Sequence, residues 1–207
     1  MRKRSTDRFD SKEDTTQDVN GLNRRTLVAG AAAIGAFVGL KAEEAEAAKP
    51  PEKMKLQAGD RIQFIKGPNK GEFLRPEHLV AGEKPIEAFP FAVEANVLRR
   101  KYRLNRLLTL KLNPAEMNED TRARSVDGVL VFSALCTHRA CTIKSWMAEE
   151  RHLRCHCHLS QFAALEEGRV MDGPAKRQLA MVPLTLDEEG FVIATDTFTS
   201  KVGAAKK

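Results

Sequence analysis

The chain has 207 residues and a formal net charge of +6, with 42% hydrophobic and 30% charged residues. This length fits one ordinary domain plus an extension and excludes a multidomain oxidoreductase with its own substrate domain. The basic excess follows residue 47 and is spread over short stretches without interleaved aromatic residues, so it does not indicate nucleic-acid binding.

The N-terminal segment has the pattern of an export signal. Arg24 and Arg25 stand directly before an uncharged apolar run from Thr26 to Leu40, which is typical of a twin-arginine signal. A helix of about 15 residues spans roughly 22 Å, less than a hydrocarbon core of about 30 Å. Ala45-Glu46-Ala47 is a small-x-small cleavage pattern. We therefore expect residues 1–47 to be a signal peptide or a tilted anchor helix. The rest of the protein would then be periplasmic, soluble or anchored to the inner membrane.

The remainder of the chain reads as one domain. Residues 48–59 form a linker rich in proline and charge, and residues 60–207 contain short apolar runs separated by turns. Strands are predicted at 60–65, 89–93, 106–112 and 129–133, and a β-hairpin at 181–195. Residues 113–126 are expected to be helical or irregular. The fold class is therefore all-β.

The four cysteines and four of the five histidines lie between positions 136 and 158. They form two boxes, Cys136-Thr137-His138-Arg139-Ala140-Cys141 and Cys155-His156-Cys157-His158-Leu159-Ser160. Residues 143–154 are long enough for a strand, a turn and a strand, which would bring the boxes face to face. This density of thiols and imidazoles suits a structural zinc site, a pair of structural disulfides, or a [2Fe–2S] cluster with cysteine on one iron and histidine on the other.

The spacing Cys136-x-His138 followed by Cys155-x-x-His158 resembles the ligand pattern of Rieske proteins. The resemblance implies one [2Fe–2S] cluster. The thiolates of Cys136 and Cys155 would hold the buried iron, and the imidazoles of His138 and His158 would hold the outer iron.

Two cysteines remain beyond those four ligands. Cys141 and Cys157 occupy the places where Rieske proteins of cytochrome bc complexes and arsenite-oxidase small subunits carry a disulfide. The resemblance therefore implies a disulfide between the two boxes. A four-ligand zinc site would leave this second pair unexplained.

The resemblance extends to residues around the cluster. Gly173 and Pro174 fall where the family has a proline loop that covers the third side of the cluster. Ser160 matches a serine that donates a hydrogen bond to sulfur, whereas Phe162 stands where high-potential members have a tyrosine. The implied fold is an antiparallel β-sandwich with a small rubredoxin-like cluster-binding subdomain at about 134–176. The missing tyrosine hydroxyl predicts a lower reduction potential.

Some positions depart from the family pattern. Arg139-Ala140 replaces a Leu-Gly pair beside the first ligand histidine, and Leu159 replaces a glycine beside the second. In bc-type proteins that leucine forms the apolar rim that meets the quinone pocket, so Arg139 weakens the case for quinol oxidation. The other histidines, at positions 78, 152 and 156, are expected to be ordinary exposed residues.

The first functional interpretation is one-electron transfer as the iron–sulfur subunit of an extracytoplasmic oxidoreductase, similar to the arsenite-oxidase small subunit. The alternative is the iron–sulfur subunit of a cytochrome bc complex, and a zinc-stabilised binding module is the remote alternative. Expected partners are an oxidoreductase subunit, a c-type cytochrome, or both, with membrane anchoring as a further option and no nucleic acid. No catalysis by the chain alone is expected beyond electron transfer.

Overall fold

The computed structural model describes residues 49–204, so the expected signal or anchor helix over 1–47 lies outside the described residues. Within them, none of the helices is long and apolar enough to cross a bilayer. The single α-helix of this part is α1 (Glu119–Ala123). The strands are β1 (Arg61–Phe64), β2 (Ile86–Ala92), β3 (Val97–Leu98), β4 (Leu107–Lys111), β5 (Val129–Ser133), β6 (Ser145–Met147), β7 (His152–Arg154), β8 (Gln161–Ala163), β9 (Arg169–Asp172), β10 (Leu184–Leu186) and β11 (Val192–Ala194). Single turns of 3₁₀-helix lie at Pro51–Lys53, Pro76–His78, Arg103–Asn105 and Pro114–Glu116.

The strands form two antiparallel sheets. The large sheet has seven strands in the order β10-β11-β1-β2-β4-β5, with β3 paired to β2. The small sheet has the order β6-β7-β8-β9 and occupies residues 145–172 of the chain. The all-β, antiparallel fold class predicted from the sequence is confirmed.

β4 and β5 separate two hydrophobic cores. Leu107 and Val131 point into a core that also contains Ile62 and Phe64 of β1. Leu108 and Phe132, one residue along each strand, point into a second core that includes residues of the small sheet. Successive side chains of a strand face opposite sides of the sheet, so a strand buried on both faces has no polar alternation. This burial explains the uninterrupted apolar run of β5.

The C-terminal hairpin begins later than predicted. The sequence predicted a strand over 181–186, but β10 starts at Leu184. Met181 instead forms a bridge with Phe132, and the Val182 amide donates to the Val131 carbonyl at 2.8 Å. Residues 181 and 182 therefore extend the edge of β5 before the hairpin begins.

The expected linker over 48–59 packs on the domain at its C-terminal end. Leu56 is fully buried in the core beneath β1, and its amide donates to Asn105 Oδ1 at 2.9 Å. Arg99 donates to Asp60 at 2.7 Å, to the Pro51 carbonyl and to the side chain of Gln57. The sequence predicted a linker here; in the structure Leu56 anchors the segment in the core, and Arg99 donates hydrogen bonds to Pro51 and Gln57.

α1 supports the small sheet from the side. The Asn118 side chain accepts from the Thr121 amide at 2.8 Å, which caps the helix, and the Asn118 amide donates to the Leu165 carbonyl. The Thr121 hydroxyl accepts from the Glu167 amide at 2.7 Å. These bonds fix the turn between β8 and β9.

Candidate metal centre

Two loops of the same design follow β5 and β7. In the first loop, the Cys136 amide donates to the Cys141 carbonyl at 2.9 Å. In the second, the Cys155 amide donates to the Ser160 carbonyl at 2.9 Å, which is the same offset along the chain. β6 and β7 pair in register between the loops, as the sequence predicted for residues 143–154. The hairpin therefore presents two closed loops side by side.

Each loop contains a residue with positive φ at the same position. Ala140 has φ 56° and Leu159 has φ 61°. These are the two positions where the sequence departs from the family's glycines. Glycine adopts this region without penalty, whereas a residue with a Cβ does so at a cost of about 1–2 kcal/mol. Both loops therefore keep their backbone shape with a less suitable residue.

The two remaining free cysteines are buried together. Cys136 and Cys155 are each about 1% exposed, and neither forms a disulfide. Burial raises the pKa of the Cys136 thiol, and the adjacent Cys155 thiol raises it further. The amides of His138 and Arg139 donate to the Cys136 sulfur and partly oppose this rise in pKa. The pair can thus supply two sulfur ligands to a cation from inside the domain.

The two histidines lie at the outer side of the loops. The rings of His138 and His158 meet edge to face, with centroids 4.7 Å apart. His158 is exposed, whereas His138 is half-buried and its Nδ1 atom is buried without a hydrogen-bond partner. Desolvation lowers the pKa of His138, and the neighbouring His158 and Arg139 lower it further. The buried Nδ1 lone pair is therefore available to a metal.

A disulfide joins the loops. Cys141 and Cys157 are bonded, with their Cα atoms 6.6 Å apart. Their sulfurs and that of Cys155 lie within 4.8 Å of one another, but a sulfur already in a disulfide is not a thiolate ligand. The bond therefore fixes the two loops against each other beside the free thiols.

The segment after β9 packs against the second loop at Ser160. Gly173 has φ 84°, and a Cβ at this position would lie 2.5 Å from the Ser160 Cα. The Ser160 hydroxyl is fully buried and accepts from the Ala175 amide at 3.2 Å, which leaves its own hydrogen free to donate. Phe162 is fully buried in the same core as both free cysteines, and Pro174 is exposed at the surface.

The sequence did not predict one contact between the first loop and the segment after β9. The hydroxyl of Thr137, between the first cysteine and the first histidine, donates to the Arg177 carbonyl at 2.6 Å. A threonine inside a ligand box is the signal that could have pointed to it. The contact holds the first loop against the segment that follows Pro174.

Of the three histidines outside the predicted ligand set, two differ from the expectation that they are exposed. His156 is exposed, as expected. His78 is half-buried, accepts at Nδ1 from the Arg75 amide and lies against the Phe64 ring, so the expectation of an exposed residue was wrong. His152 is also half-buried, with Nδ1 at 3.2 Å from Gln161 Oε1 on the neighbouring strand. The contacts of His78 with Phe64 and of His152 with Gln161 join separate segments of the chain, which local sequence does not show.

The donors present fit a [2Fe–2S] cluster with mixed ligands. Two buried thiols are unbonded, two imidazoles are adjacent, and one ring nitrogen is buried without a partner. Two sulfur and two nitrogen donors also satisfy tetrahedral zinc, so the donor set alone leaves both open. A comparison with known proteins separates the two.

A profile described as "Rieske [2Fe-2S] domain" matches residues 117–183. The chain is 42% identical over 74 residues to the cytochrome bc1 complex Rieske iron-sulfur subunit of Corynebacterium diphtheriae, covering 36% of this chain and 18% of that protein. It is 26% identical over 159 residues to the subunit of the same name from Streptomyces lividans, covering 75% of this chain and 93% of that sequence. The chain therefore spans about a fifth of the length of the first of these relatives.

Among solved structures, the soluble domain of the Rieske protein II from Sulfolobus acidocaldarius is similar to part of the chain. The TM-score is 0.41 at 20% sequence identity, over 50% of this chain and 68% of that one. This overlap is partial, so the assignment of residues 117–183 rests on the sequence match.

Proposed function

Since this chain carries a Rieske [2Fe–2S] domain, we propose that the protein is a one-electron carrier that works through such a cluster. The observation that carries the proposal is the meeting of four donors on two matched loops. The buried thiols of Cys136 and Cys155 lie inside, and the rings of His138 and His158 lie outside, 4.7 Å apart.

In this proposal, Cys136 and Cys155 hold the inner iron, and His138 and His158 hold the outer iron. When bound, the cluster supplies reversible one-electron oxidation and reduction. The chain's own residues determine how open the site is. Both thiols are buried, whereas the His158 ring reaches the surface and gives a short route between the site and a docked partner.

The surrounding residues hold the donors in place and exclude water. The Cys141–Cys157 disulfide fixes the spacing of the loops, and the Gly173 backbone packs directly on Ser160. The Ser160 hydroxyl, anchored on the Ala175 amide, has a hydrogen to donate toward sulfur. A hydrogen bond of this kind favours the reduced, more negative state.

At the level of the complex, we assign the protein as the iron–sulfur subunit of a bc-type quinol–cytochrome c oxidoreductase. The support is the name shared by the relatives from Corynebacterium and Streptomyces. These names favour the alternative interpretation from the sequence over the arsenite-oxidase-like one. The twin-arginine pattern at Arg24 and Arg25 supports residues 1–47 as an export signal or anchor, and a periplasmic location. The profile match to residues 117–183 supports the assignment of residues 60–207 as the Rieske domain.

One observation favours the arsenite-oxidase-like function as a second candidate. Arg139 is exposed beside His138, so a permanent charge lies at the side of the centre that would enter a quinone pocket. Placing an unpaired guanidinium in an apolar pocket costs several kcal/mol. A partner oxidoreductase with an aqueous, polar interface would avoid this cost.

The experiment that tests the proposal uses membranes from a strain of the source organism that lacks the gene. Quinol–cytochrome c reductase activity should be absent, should return with the wild-type gene and with a Val80→Asn control, and should not return with His158→Ala. Val80 is exposed and lies outside both loops. Full reductase activity in the deletion strain would contradict the bc-type assignment and leave the oxidoreductase-subunit function as the one to pursue.

A zinc-stabilised binding module is the remaining alternative. It would use the same four donors but would be colourless and would give no EPR signal. The visible spectrum of the purified protein therefore separates the two from the outset.

A further inference from the structure

The exposed surface around the two histidines has features that electron transfer by itself does not require. We call this surface the tip. It consists of the exposed residues His158 and Leu159 of the second loop, Arg139 of the first loop, and Pro174 and Lys176 of the segment that packs on Ser160. We propose that the tip binds a redox protein whose contact face has an apolar hollow bordered by carboxylates. Leu159 fills the hollow, and Arg139 and Lys176 pair with the carboxylates. The inference rests on the proposed electron-carrier function and adds the chemistry of the partner's surface.

Leu159 is the first reason. It is 49% exposed, and its φ of 61° is unfavourable for a branched side chain. Packing does not compensate for this strain, because about half of the side chain faces solvent. Backbone strain and exposed apolar area together are typical of a contact residue that is covered only in a complex. The covering surface must therefore offer apolar contact at this point.

The basic residues are the second reason. Arg139 and Lys176 are both exposed, and neither forms an ion pair with any residue of the described part, 49–204. The acidic residue nearest to Lys176 in the chain is Asp172, which accepts from the Gly173 amide and lies 3.4 Å from the Gln161 side-chain nitrogen. Arg177 is turned away and donates to the Gly203 carbonyl. The tip therefore combines two unpaired basic side chains, which we call the rim, with the exposed apolar side chains of Leu159 and Pro174.

The two basic side chains suit the contact with a cytochrome better than the contact with a quinone pocket. A quinone and an apolar pocket offer no negative group to Arg139, which would lose its hydration without compensation. Carboxylates around an apolar hollow compensate both basic side chains and increase the rate of encounter. An acidic c-type cytochrome meets this description, and a lysine-rich one does not.

The tip also lies next to a proposed ligand of the cluster, the imidazole of His158. The exposed ring of His158 directly precedes Leu159 in the chain, so a partner that covers Leu159 also contacts the imidazole. Gly173 packs on the backbone of Ser160, and the Ala175 amide donates to the Ser160 hydroxyl, so the segment that contains Pro174 and Lys176 lies against the second loop. The same contact therefore positions the partner and brings it next to the imidazole through which the electron would pass.

The test measures binding and electron transfer with two purified c-type cytochromes, one acidic and one ringed by lysines. The variants are Leu159→Asn, which introduces a residue that tolerates positive φ, and Arg139→Gln. Leu159→Gly provides a second variant that cannot be strained. The matched controls are Val80→Asn, at an apolar position that is 62% exposed, and Lys70→Gln; both positions lie outside the two loops and the small sheet.

For the acidic cytochrome, the wild type should bind and react faster at low ionic strength than at high. Arg139→Gln should lower the association rate about fivefold at low salt and little at high salt. Leu159→Asn and Leu159→Gly should weaken the calorimetric dissociation constant about tenfold at every salt concentration. The two controls should behave as the wild type.

Three results would overturn the inference. The lysine-ringed cytochrome could react faster at low salt, the variants could match the wild type, or Arg139→Gln could raise the rate of reduction by quinol while leaving cytochrome binding unchanged. The visible and EPR spectra of every sample are recorded first. A missing cluster signal is a failure of the proposed function, whereas an intact signal with salt-independent binding is a failure of this inference alone.

Discussion

The imidazole rings of His138 and His158 lie edge to face, 4.7 Å apart, although they come from different loops. The disulfide between Cys141 and Cys157 and the pairing of β6 with β7 hold these loops together. The adjacency of the rings is therefore built into the protein fold itself.

The positive φ values of Ala140 and Leu159 predict that glycine at either position stabilises the protein. Relief of about 1–2 kcal/mol of backbone strain exceeds the extra flexibility that glycine gives the unfolded chain, about 0.5–1 kcal/mol. We expect Ala140→Gly and Leu159→Gly each to raise the free energy of unfolding by about 0.5–1 kcal/mol. Urea unfolding measures this change. Ala115→Gly, at an exposed position without positive φ, should destabilise, and a destabilised Ala140→Gly protein would contradict the explanation.

Removal of the disulfide should destabilise the ligand loops. The bond joins residues 16 positions apart, and closing a loop of this size stabilises by about 3 kcal/mol. The double variant Cys141→Ala/Cys157→Ala should therefore unfold at a lower denaturant concentration and lose its visible absorbance faster in the presence of a chelator. The wild-type protein treated with a reductant is the control for the loss of the bond without substitution. Equal stability of the variant and the wild type would show that the loops are held by other contacts.

The hydroxyl that Phe162 lacks should change the reduction potential. Phe162 is fully buried in the core that contains both free cysteines. In Phe162→Tyr, the new hydroxyl would donate a hydrogen bond to a cluster sulfur. A charge-assisted bond of about 1.5 kcal/mol would raise the reduction potential by about 60 mV for a one-electron couple. Conversely, Ser160→Ala should lower the potential by a similar amount. A redox titration measures both, and a lowered or unchanged potential in Phe162→Tyr would refute the role assigned to position 162.

The raised pKa of the Cys136 thiol predicts how the cluster-free protein responds to alkaline pH. In the unfolded chain this thiol ionises near its ordinary pKa of about 8.5, whereas burial keeps it protonated in the folded protein up to a higher pH. The stability it contributes is therefore present below the ordinary pKa and is lost as the pH rises above it. The urea midpoint of cluster-free protein should fall between pH 7.5 and pH 9.5, and the fall should be smaller in Cys136→Ser. An equal fall in both proteins would exclude this thiol as the cause.

The sequence predicted the parts of the fold that depend on local patterns. The four consecutive apolar residues at the start of β5 (Val129–Ser133) indicated a buried strand, and the length of 143–154 indicated the hairpin between the boxes. Both follow from periodicity and chain length. The identity of the metal ligands stays a prediction, supported by their spacing, by the two buried thiols and by the adjacent rings of His138 and His158.

Other features depend on contacts between distant segments, which local patterns do not contain. The burial of Leu56 needs Asn105 as a partner, and the bond from Thr137 to the Arg177 carbonyl joins two loops far apart in the chain. The positive φ of Leu159 could not be predicted from the sequence either, because leucine rarely adopts this conformation. Each of these features depends on the three-dimensional structure and not on the local sequence.

The central claim is that histidine nitrogen ligates a redox-active iron in this protein. The most direct measurement is pulsed EPR on the reduced protein with its histidines labelled with ¹⁵N. We predict a paramagnetic signal with strong coupling to two histidine nitrogens, reduced to one in His158→Cys. A signal without histidine coupling, or a diamagnetic protein that contains zinc, would contradict the account.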